Sequence, residues 1–157
     1  DSYKYPRIKL EKLKLISRRH EDALKEKVII ANMTSRLEAF YDKGEYLAAK
    51  STIMVADSEL DLMVLTGILN SKLLTFYYRI KYKSTQMQGG ALSLSKHRVQ
   101  NIPIPDLNDE IINKIKKTVK RLKKDFNQND IECLDDIVYK LYKLTEDEQK
   151  YLKSFNI

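Results

Sequence analysis

The chain has one cysteine, no tryptophan, four glycines and three prolines in 157 residues. Each scarcity closes something off. Cys133 alone cannot form an internal disulfide, and with only two histidines beside it the chain makes a poor zinc site. Four glycines are too few for most nucleotide-binding loops. The phosphate-cradle motif and the dinucleotide fingerprint are both missing, and the pair Gly89-Gly90 does not sit between a strand and a helix. No apolar run approaches the roughly 18 residues needed to span a bilayer, and Asp1-Ser2-Tyr3-Lys4-Tyr5-Pro6 lacks the apolar stretch of a secretion signal. A reduced, cytoplasmic setting with no membrane partner is the expectation. His20 and His97 both lie in basic surroundings, where imidazole is a poor general base, so both read as surface or phosphate-facing groups. Asp57-Glu59-Asp61 and Asp106-Asp109-Glu110 are explained as helix N-terminal residues before any metal cluster is needed. No catalytic, cofactor-binding or metal-binding residue is expected in the chain.

What is present suits one folded domain, with 43% hydrophobic and 32% charged residues. The net charge of +7 is unevenly spread. Residues 125–157 carry eight acids against four lysines, while the rest of the chain holds 25 basic and 14 acidic groups, a net of +11. The basic body reads as a face for a phosphate backbone, or as an ordinary lysine-rich solvated surface.

The pattern along the chain predicts an α+β fold: a small sheet of few strands with packed helices and a helical C-terminal part. Residues 1–27 read as a flank or the cut edge of a larger chain, in which Arg18-Arg19-His20-Glu21-Asp22 interrupts a loose helical spacing. Lys27–Ala31 and Tyr46–Ala56 read as strands separated by turn chemistry at Asp42-Lys43-Gly44-Glu45. Asp57 or Ser58 is the expected cap of a helix that runs to Asn70, and a second helical stripe follows Ser71. Lys83–Gly90 reads as a loop, Ala91–Ser95 as a short strand and Val99–Pro105 as extended. Asn108 or Asp109 caps an amphipathic helix with Ile111, Ile115, Val119, Leu122 and Phe126 on its apolar face. Lys114, Lys117, Arg121 and Lys124 line another face, read as solvated. A further helix is expected from about Asp130, and Thr145-Glu146-Asp147-Glu148 reads as a capping box. Tyr77, Tyr78 and Tyr82 are expected to be core or half-buried.

An ordered set of segments carries a resemblance. It comprises Val28-Ile29-Ile30, Arg36–Tyr41, Gly44–Leu47 with Ser51-Thr52-Ile53, Leu65–Leu73, and Gly89–Leu92 with Ser95-Lys96 and Ile102–Pro105. Leu134–Glu148 matches a closing helix of the pattern D-x-x-V-x-x-L-Y-x-L-T. Together these resemble the TaqI-like C-terminal specificity domain of adenine-specific DNA methyltransferases, including the methyltransferase-nucleases of type IIG restriction systems. The resemblance implies residues 28–107 as a DNA target-recognition core and residues 108–157 as C-terminal helices packed on it. It also implies double-stranded DNA and the methyltransferase domain of a parent chain as partners. S-adenosylmethionine would belong to that other domain, since the family's Asn-Pro-Pro-Tyr/Phe segment and cofactor-binding glycines are absent here. The residues that then suit DNA contact are Arg36, Lys50, Ser51, Lys83, Ser84, Gln86, Gln88, Gly89, Lys96, His97 and Arg98. Cations meet phosphates, amides and hydroxyls read base edges, and glycine lets the backbone approach. A protein-interaction module that joins subunits, with only nonspecific DNA affinity, is the competing reading.

Overall fold

The structure, a computed structural model, describes residues 18–87 and 90–155. Among them the chain runs α1 (Arg18–Ala23), β1 (Lys27–Ala31), β2 (Met33–Thr34), β3 (Ala39–Asp42), β4 (Thr52–Val55), α2 (Leu62–Leu69) and α3 (Lys72–Lys81). A 3-10 turn at Lys83–Thr85 leads to β5 (Leu92–Ser93), α4 (Lys96–Gln100), α5 (Asp109–Lys124), α6 (Gln128–Leu141) and α7 (Glu146–Ser154). The fold is α+β with a helical C-terminal part.

The β-branched run expected as a buried strand is the centre of an antiparallel sheet ordered β3-β1-β4. Val28 pairs with Tyr41 and Val55, and Ile30 with Ala39 and Ile53. Side chains alternate across a strand, so Val28 and Ile30 share one face. That face enters the main core with Val64 and Ile68 of α2, all four fully buried. A second, two-stranded ladder pairs β2 with β5. Helix α5 packs against both α2 and α6. Its approach to α2 is closest at Gly67, where an added Cβ would stand 2.5 Å from Ile115 Cγ2 and 2.9 Å from Val119 Cγ2.

The helix caps follow the sequence. Asn108, Asn127 and Thr145 each accept a hydrogen bond from the first turn that follows, and Thr145 with Glu148 completes the capping box. One cap is supplied from a distance: Asp135 on α6 accepts the Lys72 amide at the start of α3, at 2.7 Å. Burial pushes the Asp135 carboxyl up to about 6. Lys27 and Asp42 form a fully buried ion pair beside α1, and the Lys27 Nζ also donates to the Ala23 carbonyl at 2.6 Å. Burial alone would raise the Asp42 pKa. The Lys27 ammonium and the Glu45 and Tyr46 amides outweigh it and hold the carboxylate below its usual range.

Several expectations give way to the structure. Tyr46–Ala56 is a strand only over Thr52–Val55, because Asp42 draws the Glu45 and Tyr46 amides into a turn at 3.0 and 3.2 Å. Strand β3 falls where the sequence pattern indicated none. The cap of α2 is Asp61, which accepts from Met63 and Val64, and neither Asp57 nor Ser58 serves. Val99 and Gln100 are helical, since Ser95 caps α4 and each proline restrains only the residue before it. Arg18–Ala23 forms α1 instead of interrupting a helix, and Phe126 lies past the end of α5 with 70% of its surface exposed.

Candidate nucleic-acid interface

The β2–β5 ladder gathers segments far apart in sequence. The Asn32 amide donates to the Ser51 carbonyl at 3.0 Å, and the Asn32 carbonyl accepts the Leu94 amide at 2.9 Å. Lys50 and Ser51 are thereby tied to the strand that runs directly into Ser95, Lys96, His97 and Arg98. The end of α3 closes on the same strand. Tyr78 Oη and Arg98 Nη1 both donate to the Ser93 carbonyl, at 3.0 and 2.9 Å. The loop after α3 is pinned at both ends: Gln86 Nε2 donates to the Arg79 carbonyl at 3.1 Å, and the Met87 amide to the Ala91 carbonyl at 3.0 Å. Gly90, at φ +77°, takes the backbone through the left-handed region that lets its amide reach the Met87 carbonyl.

Lys50, Ser51, Lys83, Ser84, Lys96 and His97 are exposed on these segments, while Gln86 and Arg98 are half-buried. The last two differ from the rest in what they touch. The Gln86 amide holds the loop, and the Arg98 guanidinium bonds Ser93 and lies 5.3 Å from the Tyr82 ring centre. Lys81 stands over the same ring at 5.8 Å and over Tyr77 at 5.1 Å, which makes Tyr82 an aromatic platform shared by two cations. Tyr78 is buried and Tyr77 and Tyr82 half-buried, as their helical spacing implied. Arg36 is the outlier. Its side chain pairs with Glu38 at 3.4 Å and lines a groove with Asn70 and Ile131. Gln88 and Gly89 lie outside the described residues.

The sequence carries one further signal in its acidic residues. Between Asp61 and Asp106 there is no acidic residue, while Lys72, Arg79, Lys81, Lys83, Lys96 and Arg98 all fall in that interval. The part of this region built from residues 62–105 therefore carries its cations with no carboxylate of its own, an arrangement that favours a polyanion. Asn32 and Arg79, whose backbone groups hold Ser51, Leu94 and Gln86, carry no motif and are visible only from the hydrogen bonds.

Among the described residues, no three His, Cys, Asp or Glu side chains stand together as metal ligands, and no helix is long and apolar enough to cross a membrane. Braced loops that display cations and small polar groups are the construction of a binding module that reads a target. The chain belongs to the family of TaqI-like C-terminal specificity domains, whose model matches residues 2–104. Such domains serve restriction–modification proteins and are typically non-catalytic. The match starts well before Val28 and stops ahead of α5, so it includes the N-terminal residues read as a flank and leaves out the closing helices. No curated protein matches the chain.

Proposed function

We propose that the chain recognises a specific sequence in double-stranded DNA and presents its target adenine to a methyltransferase domain outside residues 1–157, in a cytoplasmic enzyme that is either a methyltransferase alone or a type IIG methyltransferase-nuclease. The supporting observation is the convergence of the acid-free interval with Lys50-Ser51 through the Asn32 hydrogen bonds. Lys50, Lys83 and Lys96 take backbone phosphates, which positions the duplex without reading it. Ser51, Ser84 and His97 stand among them with hydroxyls and an imidazole for base edges. Gln86 and Arg98 brace the loops that carry these groups. Target extrusion and methyl transfer belong to the other domain, and so does S-adenosylmethionine. Of the three described glycines, Gly67 is filled by Ile115 and Val119 and Gly44 by the Leu24 backbone, while Gly90 is open and sits in a turn closed on the Met87 carbonyl.

Fluorescence anisotropy with labelled duplexes tests the reading at about 50 and 200 mM salt. Affinity should fall steeply with salt, and Lys96→Ala should weaken binding to every sequence and lower the log–log slope by about one. His97→Ala should cost about 1–3 kcal/mol on the cognate site and little elsewhere. Affinity that is flat with salt, or absent, would count for the subunit-joining reading.

A further inference from the structure

A second surface combines chemistry of a different kind. A groove of about 390 Å³ runs between the outer edge of β3 and the elbow where α5 turns into α6. Phe40, Tyr41 and Phe126 line it, and Leu122 and Val119 form part of its floor. Phe126 is 70% exposed and Phe40, whose edge meets the Tyr46 ring at 5.9 Å, is 43% exposed, so much of both aromatic surfaces stays open to a ligand. Two cations stand at the same place. Lys123 Nζ lies 5.2 Å from the ring centres of both Phe40 and Tyr41, and Arg36 is at the rim. Lys123 has no carboxylate partner among the described residues, and Arg36 shares only an exposed pair with Glu38.

An extended peptide is poorly served here, because the β3 edge is already closed. The Asn70 side-chain amide accepts from Ala39 N at 2.8 Å and donates to Ala39 O at 2.7 Å, and Lys123 donates to Tyr41 O at 3.2 Å. A strand added to this edge finds those groups taken. Aromatic faces beside cations are what an unstacked nucleobase with its flanking phosphates requires, since stacking is indifferent to base identity and the cations follow the backbone.

We propose that this groove binds an unpaired nucleotide of DNA, with its base against Phe40 and Phe126 and its phosphates at Lys123 and Arg36. The proposal rests on the DNA-binding reading but concerns a separate surface and a single-stranded form of the ligand. The absence of tryptophan from the chain makes a direct reporter available. In Phe126→Trp, the only tryptophan sits at the site, and a short oligothymidylate should quench its emission. A strand of the same length in abasic sugar-phosphate should quench it little. Phe126→Ala, at an exposed position that leaves the fold intact, should weaken oligothymidylate binding about tenfold and leave duplex affinity within about twofold. Equal quenching by the abasic strand, or unchanged oligothymidylate affinity in Phe126→Ala while the duplex still binds, overturns this proposal and leaves the duplex reading standing. Failure of both single strand and duplex to bind the wild-type chain overturns both. Tryptophan emission that shifts with protein concentration alone would place a second copy of the chain in the groove and overturn the proposal as well.

Discussion

Polar side chains act over different ranges in the β-containing part of the molecule and in its closing helices. Between Lys27 and Gln100 they reach across the sequence: Asn70 to Ala39, Thr75 Oγ1 to the Leu37 amide, Tyr78 to the Ser93 carbonyl, Lys27 to Asp42. In α5, α6 and α7 most reach three or four residues, as caps or as i,i+4 pairs such as Lys114 with Glu110. Short strands and long connections leave many backbone groups outside regular ladders, and distant side chains must satisfy them. Helices satisfy their own interiors and need help only at the ends. A lost side chain should therefore disturb the first region globally and the second locally.

The largest effect should come from Asp42→Ala. It strands the buried Lys27 ammonium and releases the Glu45 and Tyr46 amides, and breaking one partner of a buried pair costs about 3–5 kcal/mol. Urea unfolding should show this, with much of it recovered in Lys27→Met/Asp42→Leu. A variant as stable as the wild type would mean that the pair does not hold the turn. Gly67→Ala probes the seam between the two regions. The new methyl meets Ile115 and Val119 well inside contact distance, and overpacking of that kind costs about 1–3 kcal/mol. If thermal melting of this variant matches the wild type, α5 is free to shift away from α2.

Asp135 gives a pH-dependent comparison. Its folded-state pKa is raised to about 6 from an ordinary 3.8, so the uncharged form is favoured by folding. That contribution is complete below about pH 4 and is lost as pH rises through 6. Asp135→Asn keeps the acceptor for the Lys72 amide and removes the charge. It should be near neutral at pH 4.5 and stabilising by about 1–2 kcal/mol at pH 7.5, less than the full shift implies because the site is partly open. Equal effects at the two pH values would contradict this. The smallest change should follow Thr145→Ala, where a lost cap costs about 1 kcal/mol. Hydrogen exchange should speed up in α7 and stay unchanged in β1.

The same contrast in range explains what could be read in advance. The caps at Asn108 and Thr145 and the central strand Lys27–Ala31 depend on near neighbours, and the sequence displays all of them. Strand β3 has only four residues, and one side of it is hydrogen-bonded by Asn70, thirty-one positions away, so no local pattern announces it. Phe126 has the right spacing for the face of α5, but the helix ends first at Lys124. In the loops around β5, residue type pointed to Gln86 and Arg98 as DNA contacts. Their hydrogen bonds to the Arg79 and Ser93 carbonyls show that they also brace the loops, a role that residue type does not announce.

The hydrogen bonds between Asn70 and Ala39 restrict which residues position 70 can hold. The carboxamide sets one donor and one acceptor side by side at the spacing of a peptide group, and Ala39 uses both. Aspartate has nearly the same shape but would turn a carboxylate oxygen toward the Ala39 carbonyl. Leucine would fill similar space and leave a donor and an acceptor unmet, and glutamine would arrive one methylene too far along. In a set of randomised variants, position 70 should accept fewer replacements than several fully buried core positions do, although its own side chain is exposed to solvent.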